Sequence, residues 1–436
     1  METILILLVL GTLAIIGTPL FVILGAAALI FFSLSDNAVV VMAEEHYKLA
    51  TNPHLITIPL FTLTGFLMAM SKAGVRLVRV SRAWFGWMPG GLAVVVIIAC
   101  AFFTTFTGAS GVTIVALGGL MYPMLLSERF PEKFSLGLIT GSGSIGLLFF
   151  PSLPIILYGI VANTSIDDLF VAGILPGNLL LLVLIGYSVL VAVRKKVKRT
   201  RFELTEALQS VREAIWEMLV PVIVAVGFFG GFMTIAEVSA IAAVYMLIIE
   251  VFVHKDIKII AREPGDVDLP KVIQESMVMV GAILLILGVA LGLTNYLIQE
   301  EVPQQILEVI SQYIENKYTF LILLTIFLLI VGCLMDIFSA IIVVVPLITP
   351  IAAQYNVDPV HLGIIFLANL ELGYLTPPVG MNLFIASLTF EKPVVKLYRM
   401  VLPFLGLLFL AVLVITFYEP LSMSLVEVVR TWRAQP

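Results

Sequence analysis

Residues 102–119 read FFTTFTGASGVTIVALGG, and residues 330–346 read IVGCLMDIFSAIIVVVP. Each lies near the middle of an apolar run, 91–126 and 320–351, that is too long for one comfortable crossing. A helix spanning roughly 30 Å of hydrocarbon needs about 20 apolar residues. A longer run interrupted by glycine and polar side chains reads as two helices with a turn between them, a re-entrant hairpin. Lipid satisfies no backbone N–H or C=O, so such a tip sits at membrane depth only when it is buried in protein or faces a wet cavity.

The rest of the chain supports a bilayer as solvent. Of its 436 residues, 61% are hydrophobic and 12% charged, where a soluble domain has roughly 45–50% and about 25%. That excludes a soluble enzyme, a disordered chain and a nucleic-acid binder. The start METILILLVL has no basic leader and reads as a retained membrane segment, with a break conceivable near Gly17-Thr18-Pro19. Further apolar runs fall at 3–33, 55–71, 134–161, 168–193, 215–230, 235–253, 276–298, 361–388 and 400–418; the longest polar stretch is 194–213. The fold class is an all-α polytopic membrane protein. Cys100 and Cys333 lie inside apolar runs and the four histidines are scattered, which argues against a disulfide framework or a metal cluster.

Lys and Arg in short loops set orientation. They gather at 72–82, at 194–201 (RKKVKRTR), at 255–271 and at 392–399. The opposite loops carry Asp36, Glu44, Glu45, Asp167, Asp168, Glu300, Glu301, Glu308 and Glu315. If both long runs are hairpins, every basic loop falls on the cytoplasmic side, the N-terminus starts inside and the C-terminus ends outside. Read as single spans, they scramble the alternation. The first hairpin then enters from the inside and the second from the outside. Each is followed by a segment with a polar, Pro-broken centre, 138–159 and 367–387, with about 44 residues from Thr107 to Pro151 and about 41 from Asp336 to Pro377. Two such units of opposite entry form an inverted repeat, the architecture in which secondary transporters bind near the bilayer midplane. The expected division is scaffold and inner arm helix in 1–90, a first transport repeat in 91–161, scaffold in 162–275, a scaffold helix and outer arm in 276–319, a second repeat in 320–388 and a C-terminal scaffold helix in 389–436. The amphipathic stretches 72–88, with Trp84 and Trp87, and 300–316 suit helices lying in the two interfaces.

Helix ends inside a membrane expose N–H groups to anions and carbonyls to cations. Thr107, Ser110 and Gly111 with Ser142, Gly143 and Pro151 form one candidate cation site, and Gly332, Asp336, Thr376, Pro377 and Gly380 form the other. Small residues also serve ordinary helix packing; the double occurrence with opposite entry favours function. Asp336 either caps a helix or attracts a cation. Glu371 carries a proton, attracts a cation, pairs with a neighbouring subunit or makes a structural hydrogen bond. Glu237 falls at the outer interface. No Lys or Arg lies in the centre of either unit, so an anionic substrate would be held by helix N-termini, by Ser144, Ser339 and Asn382, and by bound cations. No Gly-Lys-Ser/Thr phosphate loop and no catalytic constellation is present, so the chain is not an enzyme and needs no organic cofactor.

Residues 52–66 (NPHLITIPLFTLTGF), the tip 107–111, the segment 137–159 with FFPSLP, and Asp358-Pro359-Val360-His361 followed by NLELGYLTPPVGMNLFIAS occur in this order. Together they resemble the large membrane subunit of a tripartite ATP-independent periplasmic (TRAP) transporter, over essentially the whole length. The resemblance implies an elevator-type transporter of the bacterial inner membrane. It implies a separate small four-helix membrane subunit, a soluble periplasmic substrate-binding protein that delivers an organic acid, and sodium ions held around the hairpin tips and broken helices at the residues named above. A stand-alone anion symporter and an ion channel are the competing expectations.

Overall fold

The computed structural model describes the chain apart from residues 1, 17, 35–39, 198–200, 261–265, 303, 306–307, 309–313, 315 and 434–436. Asp36, Lys198, Arg199, Arg262, Glu315 and most of the expected outer arm helix therefore lie outside the described residues. Among the described residues, seven helices are long and apolar enough to cross a membrane, and up to nine when two bent pairs count as single spans. One element departs from an all-helical chain: Ile257–Lys258 pairs in parallel with Val267–Asp268. The 3–33 run forms two helices, Glu2–Ile15 and Leu20–Leu34, separated by the Thr18-Pro19 break.

Both expected hairpins form. Gly91–Thr107 and Ser110–Ser127 pack against each other, joined by Gly108 and Ala109. Lys317–Leu334 and Ile337–Gln354 are joined by Met335 and Asp336. Gly91–Thr107 is buried on nearly every face, as its uniformly apolar sequence requires of a helix enclosed by protein. Both broken helices form as well. Glu132–Ser142 passes through a 3₁₀ turn, Ile145–Leu148, into Leu153–Val161 with a bend of 47°. Pro359–Gly373 gives way to Met381–Thr389.

The helices can be described in two groups that also pack on each other. A frame comprises Leu20–Leu34, Val40–Thr51, Thr57–Met70, the arm helix Ala73–Phe85, Leu204–Phe229, Ile235–Ile248 and Leu269–Gln299. A central block holds both hairpins and both broken helices, together with Ile166–Lys195, Val394–Phe417 and Pro420–Arg433. The expected scaffold 162–275 thus splits. Ile166–Lys195 leaves the first broken helix through a short loop and closes on it at Gly173, where a Cβ would lie 2.2 Å from the Leu148 carbonyl oxygen. The C-terminal scaffold helix is two helices packed on the block, and Leu269–Gln299 runs unbroken across the boundary expected at 275/276. The polar stretch 194–213 is helical from Leu204 onward.

The arm helix turns by 73° from Thr57–Met70, as a helix leaving a span to lie in the interface does. Its arginines are paired rather than turned to lipid: Arg76 with Glu217, Glu250 and Asp256, Arg79 with Glu206 and Glu213, Arg82 with Glu128. On the opposite face Arg430 and Arg433 meet Asp168 and Asp167, and Lys317 meets Glu419. These ion pairs, together with His254–Glu217 and Lys392–Glu132, link segments that the charge pattern places on the same side of the membrane. That grouping requires both long runs to return to their own side.

Frame meets block closely at Gly65, where a Cβ would lie 2.6 Å from the Phe106 carbonyl oxygen and 2.7 Å from Thr107 Cα. Gly65→Ala is expected to cost about 1–3 kcal/mol of stability, the usual penalty of overpacking. Gly119→Ala, whose Cβ meets nothing within 4 Å, is expected to be neutral or slightly stabilising. Thermal unfolding of the two variants in detergent checks the contrast.

Candidate functional site

The first hairpin turns because Gly108 adopts a left-handed conformation (φ 63°) and its N–H closes onto the Thr104 carbonyl at 2.9 Å. A Cβ at Gly108 would lie 2.8 Å from Leu153, so the tip rests on the first broken helix. Thr107 folds its hydroxyl back over the tip toward Ala109. The Ser110 hydroxyl, 4% exposed, donates to Asn382 Oδ1 at 2.6 Å. That bond ties the first tip to the second broken helix across 272 positions of sequence.

Glycines shape the first break. A Cβ at Gly146 would lie 2.2 Å from the Ala101 carbonyl oxygen, inside the first hairpin. Hairpin threonines cover the carbonyls that the break releases: Thr104 donates to Gly143 O at 2.6 Å and Thr105 to Gly146 O at 3.1 Å. Ser142 donates to Leu138 O within its own helix, and Pro151 is buried at the break. Gly143 thus already has one donor on its carbonyl oxygen, which has a second lone pair.

At the second tip, Asp336 caps the start of Ile337–Gln354. Its carboxylate accepts from the N–H groups of Phe338 and Ser339, both at 3.0 Å, and from the Ser339 hydroxyl. Ser339 therefore serves the tip itself. Gly332 and Gly373 let the hairpin and the second broken helix touch backbone to backbone; a Cβ on Gly373 would lie 2.7 Å from Gly332 Cα. Gly380 has φ 57° and donates its N–H to Cys333 O at 3.2 Å. Thr376 donates to Leu372 O at 3.0 Å, while Pro377 is exposed.

Glu371 is 2% exposed, and neither carboxylate oxygen completes a hydrogen bond among the described residues. Its polar neighbour is the Ser144 hydroxyl of the first break. Burial inside the chain removes the expectation that Glu371 pairs with a neighbouring subunit. Glu237 is exposed and completes a capping box with Thr234.

The two tips and the second broken helix line one cavity of about 580 Å³. Ser110, Gly111 and Asp336 face it, as do Ile337, Tyr374 and Met381 of the block and Phe66, Met70 and Glu275 of the frame. The other proposed ligands, Thr107, Ser142, Gly143, Ser144, Pro151, Gly332, Ser339, Thr376, Pro377, Gly380 and Asn382, do not line it. Sequence reasoning missed Glu275; the signal was a lone carboxylate beside Lys271 at the start of an apolar helix. Phe66 closes the stretch 52–66 already singled out.

Three helices begin at this cavity: Ser110–Ser127, Ile337–Gln354 and Met381–Thr389. Asp336 caps the second of them, but the first and third start at Ala109 and Gly380 with no side-chain cap. Uncapped N-termini present free N–H groups and a positive dipole end. No Lys, Arg or His is among the lining residues. The cavity can therefore hold an anion by backbone alone, while the carbonyl ends of the partner helices lie just across each turn.

Residues 4–421 match the family described as "Tripartite ATP-independent periplasmic transporter, DctM component". The chain belongs to this family. It is 33% identical to the C4-dicarboxylate TRAP transporter large permease protein DctM of Pseudomonas aeruginosa, over 92% of each chain. It is 34% identical to the isethionate TRAP transporter permease protein DctMQ of Oleidesulfovibrio alaskensis, over 93% of this chain and 63% of that one. An ectoine/5-hydroxyectoine large permease, UehC of Ruegeria pomeroyi, is 29% identical over 95% of this chain and 96% of that one. Among solved structures, the YdaH transporter of Alcanivorax borkumensis matches with a TM-score of 0.67 and 11% identity, over 95% of this chain and 99% of that chain. That likeness shows the fold alone. The chain is thus a multi-pass TRAP large permease of transporter lineage.

The Ser110–Asn382 bond has a direct test. Ser110→Ala and Asn382→Ala are each expected to destabilise the permease by about 1–3 kcal/mol, the penalty of leaving a buried polar partner unsatisfied. The double variant should cost no more than the worse single one. Additive losses in thermal unfolding would show that the two side chains do not act as a pair.

Proposed function

We propose that this permease imports a small organic acid across the bacterial inner membrane, driven by sodium. In this reading a periplasmic binding protein delivers the substrate and a separate small membrane subunit completes the frame. The observation that carries the reading is the cavity where two uncapped helix starts and both hairpin tips converge without a basic side chain. An anion is the ligand that such N-termini attract. The facing carbonyl ends and hydroxyls suit a small monovalent cation, at Thr107, Ser110, Gly111, Ser142, Gly143 and Pro151 and at Gly332, Asp336, Thr376, Pro377 and Gly380. A cation bound there cancels the negative helix ends and strengthens anion binding, which couples the two. Relatives named for C4-dicarboxylates, isethionate and ectoine support a small organic acid as the substrate class. The division into frame and block supports an elevator, in which the block carries the site across the membrane relative to the frame.

The test is uptake into vesicles holding both membrane subunits, with the loaded binding protein outside. Accumulation should require an inward sodium gradient; accumulation that persists without sodium and follows a proton gradient contradicts the reading. Ala109→Asp serves as the internal control for the anion site. Ala109 has the extended backbone of an N-cap, so aspartate there should cap the helix and stabilise the protein. Its carboxylate should also occupy the anion's place and lower uptake at least tenfold.

A further inference from the structure

The first and second broken helices end beside each other. Glu132–Ser142 stops at the first break and leads into Ile145–Leu148, which packs on Pro359–Gly373. Every residue of this last helix from Val360 to Gly373 is buried, so protein encloses it on all faces. Glu371 stands in its final turn, and Ser144 stands just beyond the end of the first helix.

Three contributions of negative sign meet here. The C-terminal end of each helix carries roughly half a negative charge, and Glu371 adds a whole one. Cations are the groups that such ends favour, yet neither helix has a Lys or Arg in its last turn. Both Glu371 carboxylate oxygens and the Ser144 hydroxyl are buried without a completed hydrogen bond among the described residues. The polar neighbour of the carboxylate is that same hydroxyl. A serine has one proton to donate, whereas a carboxylate has about four acceptor positions, so Ser144 alone leaves most of the charge unanswered. Neither residue lines the cavity between the tips. A buried carboxylate with no charge partner is costly, and the group that answers all three contributions at once is a cation.

We propose that Glu371 and Ser144 hold a sodium ion between the two broken helices, with ligands that are not among the cation ligands named above. The donor set is two carboxylate oxygens and one hydroxyl, and oxygen donors suit a hard cation. One negative charge balances a monovalent ion, whereas a divalent ion would leave a positive charge buried. The ion neutralises Glu371 and both helix ends, and it ties the first broken helix to the second. Ser144, expected to hold substrate, serves the ion instead. The proposal rests on the sodium reading above.

Equilibrium binding of radioactive sodium to the purified large and small subunits, without organic acid, counts the ions held. Glu371→Gln keeps the shape and removes the charge. At saturation it should bind one sodium fewer than the parent protein. Sodium chloride should also raise its melting temperature less than the parent's, with choline chloride holding the ionic strength constant. Glu371→Asp keeps the charge and withdraws it by one methylene. It should keep the count and lose at least tenfold in affinity for one ion. If Glu371→Gln binds as many sodium ions as the parent, the carboxylate holds none and the proposal is wrong with the sodium reading intact. If the parent binds no sodium, that reading fails and this proposal with it. Should Glu371→Gln not fold, Glu371→Asp and Ser144→Ala decide: a tenfold loss of affinity for one ion in each supports the site, and unchanged affinity in both overturns it.

Discussion

The fold depends on one constraint: at membrane depth every backbone N–H and C=O must find a partner inside the protein. The chain breaks its helices four times within the bilayer, and each break releases such groups. The partners come from short side chains placed opposite. Thr104 and Thr105 cover the carbonyls of Gly143 and Gly146, Asp336 covers the N–H groups of Phe338 and Ser339, and the Gly380 N–H returns to Cys333 O. Glycine at 146, 332 and 373 allows the approach that these bonds need. The hairpins and the broken helices are therefore one interlocked body, and moving one tip alone would leave polar groups stranded in apolar surroundings.

The accounting is left incomplete at the cavity between the tips. The helix starts at Ser110 and Met381 have no side-chain cap, and both open into the same cavity. Glu371 and Ser144 meet between the two broken helices without completing a hydrogen bond. Natural proteins satisfy buried polar groups almost everywhere. Two such helix starts at one cavity suit transient ligands that complete them: an anion at the N–H ends and a cation at the carbonyl ends. The charges of the arm show the opposite design, with Arg76 and Arg79 committed to frame carboxylates.

The hairpins and breaks were legible because Gly, Pro and hydroxyl residues in the middle of apolar runs have few other uses. The sidedness was legible because loop charge is local in sequence, and the ion pairs group the segments in the same way. Three features were not legible. Ile166–Lys195 packs on the first hairpin, both broken helices and the two C-terminal helices, contacts between distant segments that composition does not announce. Pro420–Arg433 gains its place through Arg430 and Arg433 on Asp168 and Asp167, and a short mixed-polarity tail gives no hint of that partner. The cavity joins Glu275 of the frame to Ser110, 165 positions before it, and to Asp336, 61 positions after it, and the cap that Asp336 makes shows only once its N–H donors are in view. Spacing can nominate ligands such as Ser142 and Thr376, but it cannot say which stand at the cavity and which behind it.

The central claim is that the broken helices make sodium sites that exist before any organic acid arrives. Equilibrium binding of radioactive sodium to the purified large and small subunits, with no organic acid present, measures this directly. Saturable binding that unlabelled sodium displaces and potassium does not is the predicted result. Absence of saturable sodium binding to the well-folded complex would contradict the account.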